Sequence, residues 1–174
     1  YDKLINSSVP GGSSPYYWLI PDTASTKALI KVTDASESSV YDTSNNTFKL
    51  QAKFNITQPK GGEVWIVNDT QYINWTTIGT AGTVNLTYST DSGSNFNYSI
   101  ASEASNTGSY TWKVPDNIYQ TLRVKVADSQ DQEAFNASTS NFKIRGAVSL
   151  SSPEGTEVWI VNSTHDITCV ITGS

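Results

Sequence analysis

Methionine is missing from this chain, cysteine and histidine occur once each, and only 16% of the residues are charged. A lone thiol, Cys169, cannot close a disulfide within the chain, so no covalent staple frames the fold. Its neighbours alternate as they would in a strand, and it reads as a small buried hydrophobe. His165 aligns with no set of partners at fixed spacing, which leaves zinc binding and triad chemistry unsupported. The eleven Lys and Arg residues are scattered through a chain of net charge −5, so nucleic acid is not an expected partner, because that requires clustered cations against phosphate. No apolar run approaches the ~20 residues of a membrane-spanning helix. Gly-x-Ser-x-Gly, His-Glu-x-x-His and phosphate-cradling loops are all absent. The chain is expected to be no enzyme, with no catalytic residue, no metal site and no cofactor. Lacking Met and a leader at Tyr1, it reads as a mature product or a segment of something longer.

What is present is a repeat. Glu63-Val-Trp-Ile-Val67 recurs letter for letter as Glu157-Val-Trp-Ile-Val161, 94 residues later. Pro59 and Gly61 precede the first copy, and Pro153 and Gly155 precede the second. The same shift brings Trp18 onto Trp112, Pro21 onto Pro115, Lys31-Val32 onto Lys125-Val126, and Phe48-Lys49 onto Phe142-Lys143. A fixed period between near-identical segments is the signature of a repeat architecture. The frame divides the chain into three: 1–51 is the second half of a repeat, 52–146 a complete one, and 147–174 the first strands of a third. The stretch equivalent to Ala81–Ser94 is in neither partial copy.

Within the complete repeat, seven or eight short strands are expected. Ile73 and Trp75 share one face, as do Val84, Leu86 and Tyr88. The same holds for Phe96, Tyr98 and Ile100, and for Leu122, Val124 and Val126. Trp112, Phe142 and Ile144 complete the inward set. Period-two alternation with turn signals every 8–12 residues predicts an all-β, half-buried antiparallel sandwich. Some 92 residues in seven or eight strands fit an immunoglobulin-like β-sandwich without its disulfide.

Several strings together carry a resemblance: Pro59-x-Gly-Gly-Glu-x-Trp65, Ile73-x-Trp75, Tyr88-Ser-Thr-Asp-Ser-Gly93, and Asn106-Thr-Gly-Ser-Tyr-Thr-Trp112-x-Val-Pro115. Arg123-Val-x-Val126-x-Asp128 and Asn141-Phe-x-Ile144 extend it. The complete repeat resembles the immunoglobulin-like module of the Ser/Thr-rich, GPI-anchored yeast cell-wall-synthesis family, and repeats of large bacterial and archaeal surface proteins. The resemblance implies an extracellular spacer at a cell surface. The third copy departs from it by placing Cys169 where Trp75 stands.

Nine Asn-x-Ser/Thr sequons occur, at Asn6, Asn45, Asn55, Asn68, Asn74, Asn85, Asn97, Asn136 and Asn162. Chance predicts roughly four. Alternation points Asn74, Asn85 and Asn97 outward, so N-linked glycans are the expected covalent partners. Asp128, Asp131 and Glu133 occupy the loop before the last strand. Calcium is the ion their oxygens would suit, although six to eight ligands are wanted and the loop has no EF-hand pattern. Trp18, Trp65 and Trp112 read as repeated core positions rather than a sugar-binding platform.

Half a sandwich leaves an apolar face open. Trp18, Ile30, Val32, Phe48 and Leu50 at one end, and Val148, Trp159, Val161 and Ile167 at the other, form a candidate assembly interface. Strand addition between copies would complete both ends and, being head-to-tail, would propagate a filament. A continuous array of such repeats in one long chain gives the same fibre. The expected role is therefore a structural unit of an extracellular, glycosylated fibre whose partner is itself. The alternatives are a carbohydrate-binding or adhesive module of a surface protein, and an accessory domain of a secreted hydrolase.

Overall fold

Alternating side chains can hide only if a second sheet covers them, and the computed structural model shows where that cover exists. It describes residues 2–12 and 14–173. Fifteen strands and no helix are found there. The first partial repeat holds β1 (Ser25–Ala28), β2 (Lys31–Thr33), β3 (Tyr41–Thr43) and β4 (Phe48–Leu50). The complete repeat opens with β5 (Lys53–Gln58), β6 (Val64–Ile66), β7 (Thr70–Ile78), β8 (Thr83–Ser89) and β9 (Tyr98–Ser105). It closes with β10 (Ser109–Lys113), β11 (Tyr119–Asp128), β12 (Phe135–Ala137) and β13 (Phe142–Arg145). Two strands follow, β14 (Ala147–Ser152) and β15 (Thr168–Thr172).

The complete repeat is an immunoglobulin-like sandwich without a disulfide. One sheet has the order β10-β7-β5, the other β6-β13-β11-β8-β9, with β12 added beside β11. Every pairing is antiparallel except β6 on β13, which is parallel with Trp65 opposite Ile144. The inner faces enclose Phe54, Ile56, Trp65, Ile73, Trp75, Val84, Leu86, Tyr88, Trp112, Leu122, Val124, Val126, Phe142 and Ile144, all buried. Aromatic rings, and no disulfide, join the two sheets. Trp65 meets Trp112 edge-on at 5.7 Å between centroids, and Phe142 lies 4.7 Å from Trp65. Edge-on pairs of this kind contribute about 0.5–1.5 kcal/mol beyond the area they bury.

The turn before β6 needs glycine. Gly61 has φ +123°, and a Cβ there would stand 2.7 Å from the carbonyl carbon of Ser140. Glu63 secures the same turn by accepting hydrogen bonds from the backbone N–H groups of Lys60 and Gly61, at 2.7 and 2.8 Å.

Three sequence expectations need correction. The complete repeat has nine strands, because the segment Phe135–Ala137, read as loop, pairs with β11. The strand expected at Asn95–Ala101 starts later, at Tyr98, and continues to Ser105. Tyr98 stands opposite inward Tyr88 and stacks on it at 4.8 Å between centroids, but on the edge strand it stays exposed, while Phe96 and Ile100 are only half-buried. The bulges in the β8–β9 register, with Glu103 at φ +50°, lie beyond Tyr98 and absorb the extra residues, so that Ala101 stands opposite Leu86 and Ala104 opposite Val84. Cys169 is exposed, because nothing covers its strand.

The partial repeats keep the pairing of the complete one, shifted by 94. β1 pairs with β4 as Ser25 to Leu50 and Ala28 to Phe48, and β11 pairs with β13 as Tyr119 to Ile144 and Leu122 to Phe142. β2 and β3 match β11 and β12 residue for residue. The β14–β15 hairpin repeats β5–β7 along its whole length, from Ala147 opposite Thr172 to Ser152 opposite Thr168. Even the bulge near the end of that hairpin recurs. Local sequence thus sets each hairpin's register, while burial differs.

This contrast is measurable at one repeat position. In dilute solution Phe142→Ala should destabilise the complete repeat by about 3–5 kcal/mol, since the ring is fully buried. Phe48→Ala, half-exposed at the equivalent position, should cost under about 1.5 kcal/mol by the smaller area lost. Urea unfolding followed by tryptophan fluorescence distinguishes them; equal losses would mean that Phe48 is already covered.

Candidate functional site

Where one repeat meets the next, the chain builds a polar clasp. Lys49, on the outer face of β4, reaches Asp131 at 3.2 Å and Glu133 at 2.5 Å. Gln51 donates from Nε2 to the other Asp131 oxygen at 2.9 Å. The backbone N–H of Ala24 donates to Thr80 Oγ1 at 3.0 Å on the same joint. A groove of about 400 Å³ runs between the two repeats, lined by Leu50, Gln51, Ala52, Thr80, Asp128 and Asp131 among others. Backbone approach is close here. Gly79 has φ +93°, and a Cβ on it would sit 3.0 Å from the Cα of Ala52.

The clasp perturbs its own ionisations. The Gln51 amide, and then Lys49, hold the Asp131 carboxyl below its ordinary value of 3.8, against a contrary push from partial burial. Hydrogen bonds to Glu133 and Asp131 raise Lys49 above 10.5. These engaged carboxylates, part of the acidic loop considered for calcium, are committed to Lys49 and Gln51. Asp128 Oδ1 accepts the backbone N–H of Gln130 in the same loop. No group of three or more metal-ligating side chains is found among the described residues.

The candidate assembly-interface residues fall into two surfaces. Trp18, Ile30, Phe48 and Leu50 are half-buried and line a shallow groove of about 480 Å³, whereas Val32 is exposed. At the other end Val148, Val161 and Ile167 are 71%, 86% and 72% exposed, and Trp159 is 40% exposed. The two surfaces do not touch within one chain. Trp159 is instead stacked on His165, 4.6 Å between ring centroids and nearly coplanar. His165 also shares a 2.7 Å hydrogen bond with Ser163 Oγ through Nε2. Trp65 and Trp112 are buried, which removes them from any sugar-binding platform. Tyr16 and Tyr17 are exposed beside half-buried Trp18.

The sequons divide by environment. Asn6, Asn45, Asn55, Asn68, Asn97 and Asn162 are exposed. Asn74, Asn85 and Asn136 are half-buried, so Asn74 and Asn85 lie on the outer faces without the open solvent exposure expected of them. Asn74 donates to Gln58 and accepts from Ser109 Oγ. Asn85 Oδ1 accepts the N–H of Glu103 at the bulge. Asn136 Oδ1 accepts the N–H of Ile56 at 2.9 Å, so it ties β12 to the opposite sheet. Two polar residues of the resemblance strings hold the framework. Asn106 accepts the indole N–H of Trp75 at 2.8 Å and donates to the Ala81 carbonyl. Asp91 accepts from Ser89 Oγ and from the backbone and side chain of Asn95, which hold it at about 2.

No family model matches the chain, and no curated protein matches it. Among solved structures, one similar chain is described as "Structures of Clostridium thermocellum CbhA fibronectin(III)-like modules". It is 16% identical with a TM-score of 0.32, and the match covers 70% of this chain and 63% of that one.

The joint's pH dependence has a defined sign. Because Asp131 is depressed in the folded state, its contribution is present above pH 3.8 and is lost as pH falls through the lower folded value. Because Lys49 is raised, its contribution is present below pH 10.5 and is lost as pH rises through the higher folded value. Gln51→Leu, which removes the largest cause, should move the Asp131 titration midpoint upward. A carboxyl-carbon NMR titration reads this directly, and an unmoved midpoint would disprove the clasp.

Proposed function

We propose that this chain is a structural unit of an extracellular fibre built from head-to-tail immunoglobulin-like repeats, its partial end repeats completed by neighbouring polypeptide. One observation carries the reading: both partial repeats hold the hairpin register of the complete repeat while leaving its core positions uncovered. A strand pair that keeps native register but exposes Val148, Val161 and Ile167 is a surface suited to a matching sheet. Because the two surfaces are different halves of one repeat, the contact is heterologous, and repetition extends it in a line. This geometry supports the self-partner and the tandem-array form alike.

The motif resemblance to cell-wall and surface-protein repeats supports placing such a fibre outside the cell. Sequons on both sheets support a glycan coat, which would shield strand edges from unwanted pairing. No helix among the described residues is long and apolar enough to cross a membrane. Burial of Trp65 and Trp112 weighs against the carbohydrate-binding alternative, which needs aromatic planes facing solvent.

Electron microscopy and light scattering on the 174-residue chain test the fibre. Growth of thin filaments with an axial period set by whole repeats is the expected result. A stable, non-associating monomer at high concentration sinks the reading. A second measurement addresses the coat. Peptide mass spectrometry of native material should find glycan at exposed Asn55 and Asn97, with lower occupancy at Asn74 and Asn136. Unmodified asparagine at every exposed sequon removes the glycan from the proposal.

A further inference from the structure

We infer that two copies of this chain join in one register, fixed by a parallel strand and by a charge clasp that replicates the internal joint. The inference rests on the fibre reading above and adds its contact residues. The complete repeat supplies the template, in which β6 lies parallel on β13 with Lys143, Ile144 and Arg145 opposite Val64, Trp65 and Ile66. The corresponding segments are Lys49-Leu50-Gln51 and Val158-Trp159-Ile160. The first has β1 along one side only. The second is not a strand at all in the single copy, although its letters repeat those of β6, because the strand it would pair with is elsewhere. In the joined state Lys49 stands opposite Val158 of the second copy, Leu50 opposite Trp159, and Gln51 opposite Ile160.

Side chains agree with this placement. The template pairs Trp65 with Trp112 and Phe142, and the joint offers Trp159 to Trp18 and Phe48. Asn136 Oδ1 receives the N–H of Ile56 across the template sheets, and Asp42 stands ready to receive that of Leu150. The exception is more informative. Trp75 needs an acceptor for its indole N–H and finds it in Asn106. In the partial copies the tryptophan is replaced by Cys169 and, 94 residues before Asn106, the acceptor is replaced by Gly12. Donor and acceptor have been lost together from opposite ends of the chain, as they would be if those ends share one core.

The clasp follows from the same shift. Gln51 and Lys49 grip Asp131 of the next repeat. Their equivalents are Arg145 and Lys143, both exposed and with no ion-pair partner among the described residues. The equivalent of Asp131 is Glu37, whose carboxylate accepts only from Ser39. Lys143 and Arg145 of one copy therefore face Glu37 of the second. The backbone has already formed its half of this joint. Gly173, at φ +82°, approaches the Cα of Gly146 as Gly79 approaches Ala52, with 3.2 Å from its added Cβ against 3.0 Å.

Cross-linking tests the register. The chain carrying Cys169→Ser, Glu37→Cys and Arg145→Cys is treated with the shortest bismaleimide that closes a Gln51→Cys and Asp131→Cys pair within one chain. A covalent ladder beyond the dimer on a denaturing gel, absent from either single-cysteine variant, is the expected result. In the parent chain, Cys169 should lose its maleimide reactivity on assembly. Large particles by light scattering without a ladder, or with Cys169 still reactive, overturn this register and leave the fibre reading standing. Monomer without a ladder overturns both.

Discussion

The contact among Trp65, Trp112 and Phe142 joins the two sheets of the complete repeat, and the rest of the chain is arranged around the need to make it. Trp112 comes from β10 in one sheet, whereas Trp65 and Phe142 lie side by side on β6 and β13 in the other. A sheet with an apolar face is stable only when that face is covered. In the complete repeat the three rings meet and the surrounding aliphatic residues are dry. At the chain's ends the same ring positions are separated, with Trp18 and Phe48 at one end and Trp159 at the other. Trp159 stacks on His165 in the meantime, a small substitute for an inner sheet.

Much of this architecture was legible in the letters because period-two alternation is a geometric property of a strand. Ile73, Trp75, Val84, Leu86, Leu122, Val124 and Val126 were assigned inward and are buried. The failures occur where something interrupts the period. Two bulges interrupt β9 beyond Tyr98, and its place at the sheet edge leaves Tyr98 exposed although it stands opposite inward Tyr88, which alternation alone does not tell. β12 is three residues long, too short to show a period, and beyond its pairing with β11 it is tied down by the Ile56 backbone N–H donating to Asn136, which no hydrophobic pattern encodes. Asn74 and Asn85 do sit out of phase with their buried neighbours, yet outward on a sheet is not the same as open to water. Each finds a polar neighbour on that surface, Gln58 and Ser109 for the first and the Glu103 backbone for the second.

The joint was the least legible feature. Lys49 and Asp131 are 82 residues apart, and neither stands in a motif. Only once β4 is docked on the following repeat does its outer face come within reach of the acidic loop. The repeat period then makes the joint readable elsewhere, because a contact seen once between positions 51 and 131 designates positions 145 and 37 as its equivalent. Lys is kept, Gln becomes Arg and Asp becomes Glu, while Glu133 becomes Ser39, so the second clasp sets two cations against one carboxylate.

Exposed ion pairs contribute little to stability singly, about 0–1 kcal/mol, and salt screens them. Their value in a repeat array is orientation. The buried rings of each sandwich decide that a repeat closes, but they say nothing about the angle at which the next one follows. That angle is held by what bridges neighbouring repeats. Here the bridges are one close backbone approach at Gly79, matched at Gly173, and a clasp that grips from Lys49 and Gln51 at once. Two grips on one carboxylate loop oppose rotation about the linker in a way that a single contact cannot. A chain of repeats joined in this manner resists bending at every step, and weakening the clasp should soften the array before it unfolds any repeat.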